Sequence, residues 1–432
     1  MAGMSTSNWS TNRFGTFACC LGLLIVAIGP DSVAGDWPEW RGPARDGHAA
    51  ADEIAPASLP REPNFAWRLD IGGGFSSPVV AGGKLVYLDG QAGKEVAHLV
   101  DVKTGKELWR TPYADMYQDE WGQGPRSTPI MDGDCIYVQS CNGEFRCLNL
   151  ADGKLLWGVS FDKDFGVPFL GSRGGEGTAS RRGNNGTGVI DGDRVFVPVG
   201  STKGASLVAF DKRSGKVLWK SQNDEAAYSS LMVGTLAGVR QVIYFSADAL
   251  MGIKTEDGKL LWRVPLRTDA KRHAATPLLF GDSVIVNSHT IGLRCFKIAS
   301  EAGGLQATPA WANKDLKINI STPVLVGSNL YSQGAGANLV CVDATNGNLL
   351  WSQDGFGERF GALVAVGERL IGISDRGQLI LFAADKTKYS ELGRLQACGK
   401  TWNSPAWAGG RLFLREGLTS GWKLSCLDVT TP

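Results

Sequence analysis

Histidine is scarce in this chain: His48, His98, His273 and His289 are the four among 432 residues. No HExxH pair and no Cys/His ligand spacing accompanies them, so no metal centre is indicated. GxSxG and GxxxxGK[ST] are missing too, which removes the nucleophile elbow and the phosphate-binding loop. An excess of one charge is also lacking, since 44 Lys and Arg against 43 Asp and Glu leave a net +1. No global field draws nucleic acid or an anionic membrane surface to it, and neither is expected as a partner.

Long apolar runs are lacking as well. Phe17–Ile28 spans 12 residues, against roughly 20 for a bilayer crossing, so an integral membrane protein is not expected. Arg13 precedes that run, and Ser32-Val33-Ala34 follows it with small residues at the −3 and −1 positions. Residues 1–34 therefore read as a signal peptide cleaved after Ala34 or one residue later, and the mature chain is expected to be exported to the periplasm or outer envelope. A lipid anchor is unsupported, because Cys19 and Cys20 lie inside the apolar run rather than after it. Seven of the nine cysteines remain beyond that segment. Cys147, Cys295, Cys341 and Cys426 occupy equivalent repeat positions, too far apart to bridge, and no obligatory disulfide is expected.

What is abundant is glycine, 57 residues, in a pattern. Ala209–Trp219, AFDKRSGKVLW, sets an Asp slot, a Gly four residues on and a Trp eight residues on. The pattern recurs as Asp101/Gly105/Trp109, Asn149/Gly153/Trp157, Lys254/Gly258/Trp262 and Asp343/Gly347/Trp351. The carboxylate accepts from backbone N–H groups of the turn that follows, and Gly supplies a positive φ. The Trp is a large apolar plate on the next strand, worth about 5 kcal/mol gross when buried. Upstream of each unit runs a short hairpin, such as STPIMDGDCIYV from Ser127 or STPVLVGSNLY from Ser321. One repeat is thus four antiparallel strands, A to D, and successive Trp residues stand 40 to 62 residues apart. That is the period of a propeller blade.

Eight A–B hairpins, one of them a degenerate copy at Ser229–Tyr244, predict an all-β, eight-bladed β-propeller of four-stranded antiparallel blades. The last copy reaches Asp428 without a Gly or Trp, whereas Trp67 has no Asp–Gly turn before it. The N-terminal strand at 64–69 is therefore expected to close the ring as strand D of blade eight. Blade seven lacks a Trp around Tyr389–Leu395, which leaves its outer strand the weakest assignment. Residues 62–432 form the propeller on this reading, and 35–61, opening DWPEWRGPARDG, an arm packed on it through Trp37 and Trp40 or else offered to a partner.

Alternation places the D–A connections on the face that carries the long loops, 110–126 and 158–185. Arg173, Arg181 and Arg182, with Asn184, make the second loop a candidate anion or carboxylate site. The alternative is that its arginines pair with Asp115, Asp119 and Glu120 next door. Arg126, Arg182, His273 and Trp402 stand just before or at the start of inner strands, where they would line the channel mouth.

The AxDxxxGKxxW unit resembles the tryptophan-docking motif of the pyrroloquinoline-quinone (PQQ) repeat, or quinoprotein-like, β-propellers. DWPEWRGPARDG, GPRSTP at Gly124 and SPAWAGGRLFL from Ser404 are similar to its exported bacterial branch. The propeller lipoprotein of the outer-membrane barrel-assembly machinery is a more distant likeness. In catalytic members the resemblance implies a quinone clamped by adjacent cysteines, with calcium and a catalytic Asp. Here the adjacent pair is Cys19-Cys20, inside the expected signal, so no cofactor, metal or catalytic residue is assigned. The expected function is a monomeric, non-catalytic scaffold binding a protein or glycan partner at the cell envelope. The alternative is a PQQ- and calcium-dependent dehydrogenase of sugars or alcohols.

Overall fold

The computed structural model describes residues 35–169 and 182–429. The expected signal peptide, Arg173 and Arg181 fall outside them. Among the described residues there are eight four-stranded antiparallel sheets, the blades of a propeller, and one two-stranded ribbon, Gln118–Asp119 with Gly122–Gln123. Blade one is typical: strand A is Val79–Ala81, B is Lys84–Gln91, C is Lys94–Asp101 and D is Glu107–Asp115. Short inner strands converge on the axis, and outer strands carry the Trp.

Closure follows the expected route. Strand Asn64–Asp70 pairs antiparallel with Lys423–Asp428 as the fourth strand of blade eight, with Asn64 opposite Asp428 and Trp67 opposite Cys426. In other blades too the small residue across from the Trp is a buried Cys or Ala: Cys147, Ala209, Cys295 and Cys341 face Trp157, Trp219, Trp311 and Trp351. All seven described cysteines are free.

The Asp and Gly positions act as the sequence suggests, and the structure adds a second role for Gly. Asp101 Oδ1 accepts from the backbone N–H of Thr104 (2.9 Å), and Asp211 Oδ1 from that of Ser214 (2.8 Å). Gly105, Gly153, Gly215, Gly258 and Gly347 all have φ between +69° and +77°. A Cβ on any of them would also lie 2.4–2.8 Å from the indole of the preceding blade's Trp. Each of those indoles, Trp67, Trp109, Trp157, Trp219 and Trp311, donates its N–H to a carbonyl of the next blade's C–D turn at 2.9–3.1 Å. The plate belongs to one blade and its seat to the next. Buried cores accordingly lie between blades, as where Val86, Leu88 and Leu99 of blade one meet Met131, Ile136 and Leu148 of blade two.

Two blades depart from this rule. In blade five the C and D strands, Gly292–Glu301 and Gly304–Asn313, run long and turn tightly at Ala302-Gly303, leaving no Asp–Gly seat. Trp262 therefore donates to Gln241 Oε1 of its own blade at 2.6 Å. In blade seven the outer strand exists, Glu391–Gln396, with Gly393 across from Leu381 in the Trp position. Leu59 of the arm lies against it, 3.0–3.4 Å from where a Gly393 Cβ would stand, in the space an indole fills elsewhere.

Two loop bounds are shorter than expected from sequence. Blade one's outer strand continues to Asp115, so the connection to blade two begins at Met116. Blade two's outer strand reaches Ser160, which caps a short helix, Phe161–Phe165.

Candidate functional site: a blind bowl at the propeller axis

In every blade but the seventh the inner strand is preceded by a small hydroxyl residue, and several of these tie neighbouring blades together around the axis. Thr187 Oγ1 accepts from Thr128 N (3.2 Å), Ser230 Oγ from Thr187 N (3.2 Å), and Thr322 Oγ1 from Thr276 N (3.1 Å). With the hydroxyls so placed, the residue two positions before such a hydroxyl is held at the channel mouth. Phe75, Arg126, Asn185, Tyr228, Ile320 and Trp402 hold that place in six blades, and all line one cavity of about 650 Å³ on the long-loop face.

The cavity is blind because the arm fills the axis beneath it. Trp37 bridges Val80 of blade one, and Pro38 O accepts from Met131 N of blade two (2.8 Å). Arg45 Nε donates to Leu231 O of blade four (3.0 Å), while its guanidinium is ion-paired with Glu39. Arg41, buried, donates to Thr322 O (2.8 Å) and Pro323 O (2.6 Å) before blade six and to Asp46 O (2.8 Å). Burial pushes its guanidinium down to about 10, still charged at neutral pH. Ala49 N donates to Ala365 O of blade seven (2.8 Å). Trp40 tops this plug: its indole N–H donates to Thr276 Oγ1 (2.8 Å) and its ring lines the cavity. The arm is thus an axial plug rather than a surface strap.

Arg126, Arg182 and Trp402 come together on one side of the bowl. Arg126 Nη2 meets Asp119 Oδ1 at 2.5 Å, and its guanidinium lies over Tyr117 (4.7 Å) and Phe75 (5.2 Å). Burial alone would raise Asp119, but hydrogen bonds and charge from Arg126, with the Trp121 N–H and Tyr117 hydroxyl, hold it below the usual carboxylate range. Arg182 is ion-paired with Glu120, reaches Asp119 at 3.5 Å and lies over Trp121 at 5.9 Å. Asp115 is not part of this group and pairs with Lys94. Arg182, the described arginine of the expected anion site, is therefore neutralised by the adjoining loop, and Arg126 is paired within its own loop. Trp402 packs at a tilt, 5.5 Å from Trp121 and 6.3 Å from Phe75 between ring centroids, completing an aromatic wall.

Asn184 and His273 are elsewhere. Asn184 is buried, its N–H donating to Cys141 O (2.9 Å) and its carbonyl accepting from Gln139 Nε2 (2.9 Å), a brace behind the wall. His273 stacks on Phe245 at 4.0 Å and donates from Nε2 to Leu266 O at 2.9 Å. Burial pushes it down to about 4, so it is neutral and does not face the bowl.

Among the lining residues that sequence reasoning missed are Trp40, the wall residues Phe75 and Trp121, Tyr228 and Ile320, and the cations Arg272, Lys317 and Arg359 of the connections into blades five, six and seven. Stepping back two positions from that hydroxyl would have indicated Tyr228 and Ile320. The three cations sit at unequal offsets and give no such signal.

The family model described as outer membrane protein assembly factor BamB matches residues 64–166, 92–302, 171–389 and 299–430. Outer membrane protein assembly factor BamB of Shewanella oneidensis is 22% identical over 356 residues, 79% of this chain and 73% of that protein. Over four curated relatives of that name the chain spans between 45% and 73% of their length, less than two thirds for three of them. BamB from Moraxella catarrhalis superposes with a TM-score of 0.57 at 14% identity, covering 83% of this chain and 95% of that one. Quinohemoprotein alcohol dehydrogenase from Comamonas testosteroni gives 0.50 at 13% identity, covering 92% and 81%. At such identities both likenesses speak to the fold alone.

Proposed function

The chain belongs to the family of outer membrane protein assembly factor BamB, and from that premise we propose a non-catalytic scaffold that holds a protein partner at the cell envelope. The observation that carries this reading is the blind bowl, walled by Phe75, Trp121 and Trp402 and floored by Trp40. A concave aromatic patch on a rigid ring is the kind of surface that supplies anchoring pockets in protein interfaces. The relatives named assembly factors of outer membrane proteins support a protein rather than a small substrate. Among the described residues no helix is long and apolar enough to cross a membrane, a statement that leaves strands aside.

The dehydrogenase alternative asks the bowl for a clamp of adjacent cysteines and for carboxylates to hold calcium. Among the described residues the lining side chains include no cysteine, and Glu358, the one carboxylate there, is paired with Arg376. Among the described residues no three His, Cys, Asp or Glu side chains converge as a metal site. The residues present do not fit that cofactor arrangement, and no step through it is assigned.

Site-directed photocrosslinking in the native envelope tests the scaffold reading. A benzoylphenylalanine at position 402 should give an adduct with an envelope protein, and one at position 155, an exposed leucine on an outer strand, should not. Adducts from 155 but none from 402 would move the partner surface to the rim and defeat the proposal.

A further inference from the structure

The bowl is polarised. Phe75, Trp121 and Trp402 precede blades one, two and eight, whereas Arg272, Lys317 and Arg359 precede blades five, six and seven. In an eight-membered ring blade one faces blade five and blade two faces blade six, so an aromatic wall confronts a cationic one. The two cations on the aromatic side, Arg126 and Arg182, are already taken by Asp119 and Glu120. Arg272, Lys317 and Arg359 have no carboxylate within ion-pair distance among the described residues. Arg272 Nε is buried without a hydrogen-bond partner. His289 joins that side as a neutral group, because burial and the Arg272 charge both push its pKa down. Glu358 is ion-paired with Arg376 rather than with any of the trio, although the Arg359 charge also acts on it. Three positive charges outside any ion pair among the described residues therefore look across a closed floor at three rings packed at a tilt.

We infer that the bowl takes a short acidic, aromatic-containing segment of the partner polypeptide, its carboxylates on Arg272, Lys317 and Arg359 and its aromatic side chain against Trp402 and Trp121. This rests on the bowl being the partner surface and specifies what the partner presents there. Guanidinium forks favour carboxylate acceptors, and ring-on-ring packing favours an aromatic side chain. A cavity of about 650 Å³ admits a few residues and no folded element. The plug beneath it stops a polymer from threading through, which selects a tail or loop tip over a continuing polysaccharide chain.

The test uses the whole propeller and a blocked hexapeptide of alternating phenylalanine and aspartate, followed by quenching of tryptophan fluorescence. Saturable quenching is expected, weakening about tenfold from low to physiological salt as exposed charges are screened. Arg272→Glu with Lys317→Glu should weaken it at least about tenfold, while Lys314→Glu, an exposed lysine of the same connection outside the lining, leaves it unchanged. Should the charge reversals disturb folding, Arg272→Gln with Lys317→Gln gives the same direction with smaller loss. Affinity unmoved by both pairs, or capture of polygalacturonate in place of the peptide, overturns the inference. A position-402 crosslink to an envelope protein alongside a failed peptide titration defeats this inference alone. Failure of both defeats the scaffold reading beneath it.

Discussion

If the glycine of the Asp–Gly turn is a seat for the previous blade's indole as well as a bend, then Gly215→Ala carries two separable costs. The first is backbone strain: Gly215 has φ +71°, and an L-residue there costs about 1 kcal/mol. The second is steric, since the methyl would stand 2.5 Å from Cδ2 and Cε3 of Trp157. Forcing a packed core to accept such an intrusion costs about 1–3 kcal/mol. Trp157→Ala by itself should cost about 3 kcal/mol, the low end for a truncated aromatic, because the ring is half-buried. Its lost N–H bond to Lys212 O is partly covered by the Tyr137 hydroxyl, which donates to the same oxygen at 2.9 Å. In the double variant the methyl meets empty space and only the backbone cost survives. The pair should therefore be less destabilised than the sum of the singles by about 1–3 kcal/mol. Urea unfolding followed by far-ultraviolet circular dichroism, which does not depend on the indole signal, reads all four corners. Additivity within about 0.5 kcal/mol would show that the glycine is there for the turn alone.

Two further outcomes follow from buried groups outside the bowl. Glu95, fully buried and bonded to the Tyr113 hydroxyl (2.9 Å), is raised by burial to about 7 from 4.5. The fold then holds a proton that the unfolded chain releases, so stability should fall by up to about 3 kcal/mol as pH rises from 4.5 through 7 and level off above. Glu95→Gln should flatten that slope in thermal melts across this range, and an unchanged slope would refute the assignment. Leu59→Ala should cost about 1–2 kcal/mol and speed amide exchange in Glu391–Gln396, whereas unaltered exchange there would deny that Leu59 stands in for the missing indole.

The legible part of this protein was the part that repeats. Asp, Gly and Trp recur at fixed spacing because each copy solves the same local problem, so blade count, hairpins and the closing strand Asn64–Asp70 could be read before any coordinates. What the Trp touches was not legible, since its seat lies in the next copy and spacing within one copy says nothing about contacts between two. Arg126 and Trp402 were found in the bowl because they stand just before an inner strand marked by Ser or Thr. His273 stands nearer its inner strand than Arg272 does, yet it is turned into the blade, where only burial reveals it. The Arg126–Asp119 and Arg182–Glu120 pairs show the same limit: sequence supplied both partners and left open which charges they would leave free.

The arm was the least legible element, for an identifiable reason. It has no period, and it is held by single directed bonds from side chains whose backbone is unusual, Arg41 and Arg45 having φ of +64° and +59°. Yet the arm and the irregular blade explain each other. Gly393 leaves blade seven without a plate, and the same segment that plugs the axis through Trp40 and Arg41 supplies Leu59 to that gap before entering blade eight as its outer strand. Glu53, between those points, accepts from the Trp407 indole N–H (2.9 Å) and the backbone N–H of Gly409 (2.7 Å) and Gly410 (3.0 Å) in blade eight. One stretch thus closes the ring, repairs its weakest blade and floors the bowl. The binding surface is consequently tied to the closure of the fold, and a change that loosens the seam between blades seven and eight should also disturb a ligand seated on Trp40.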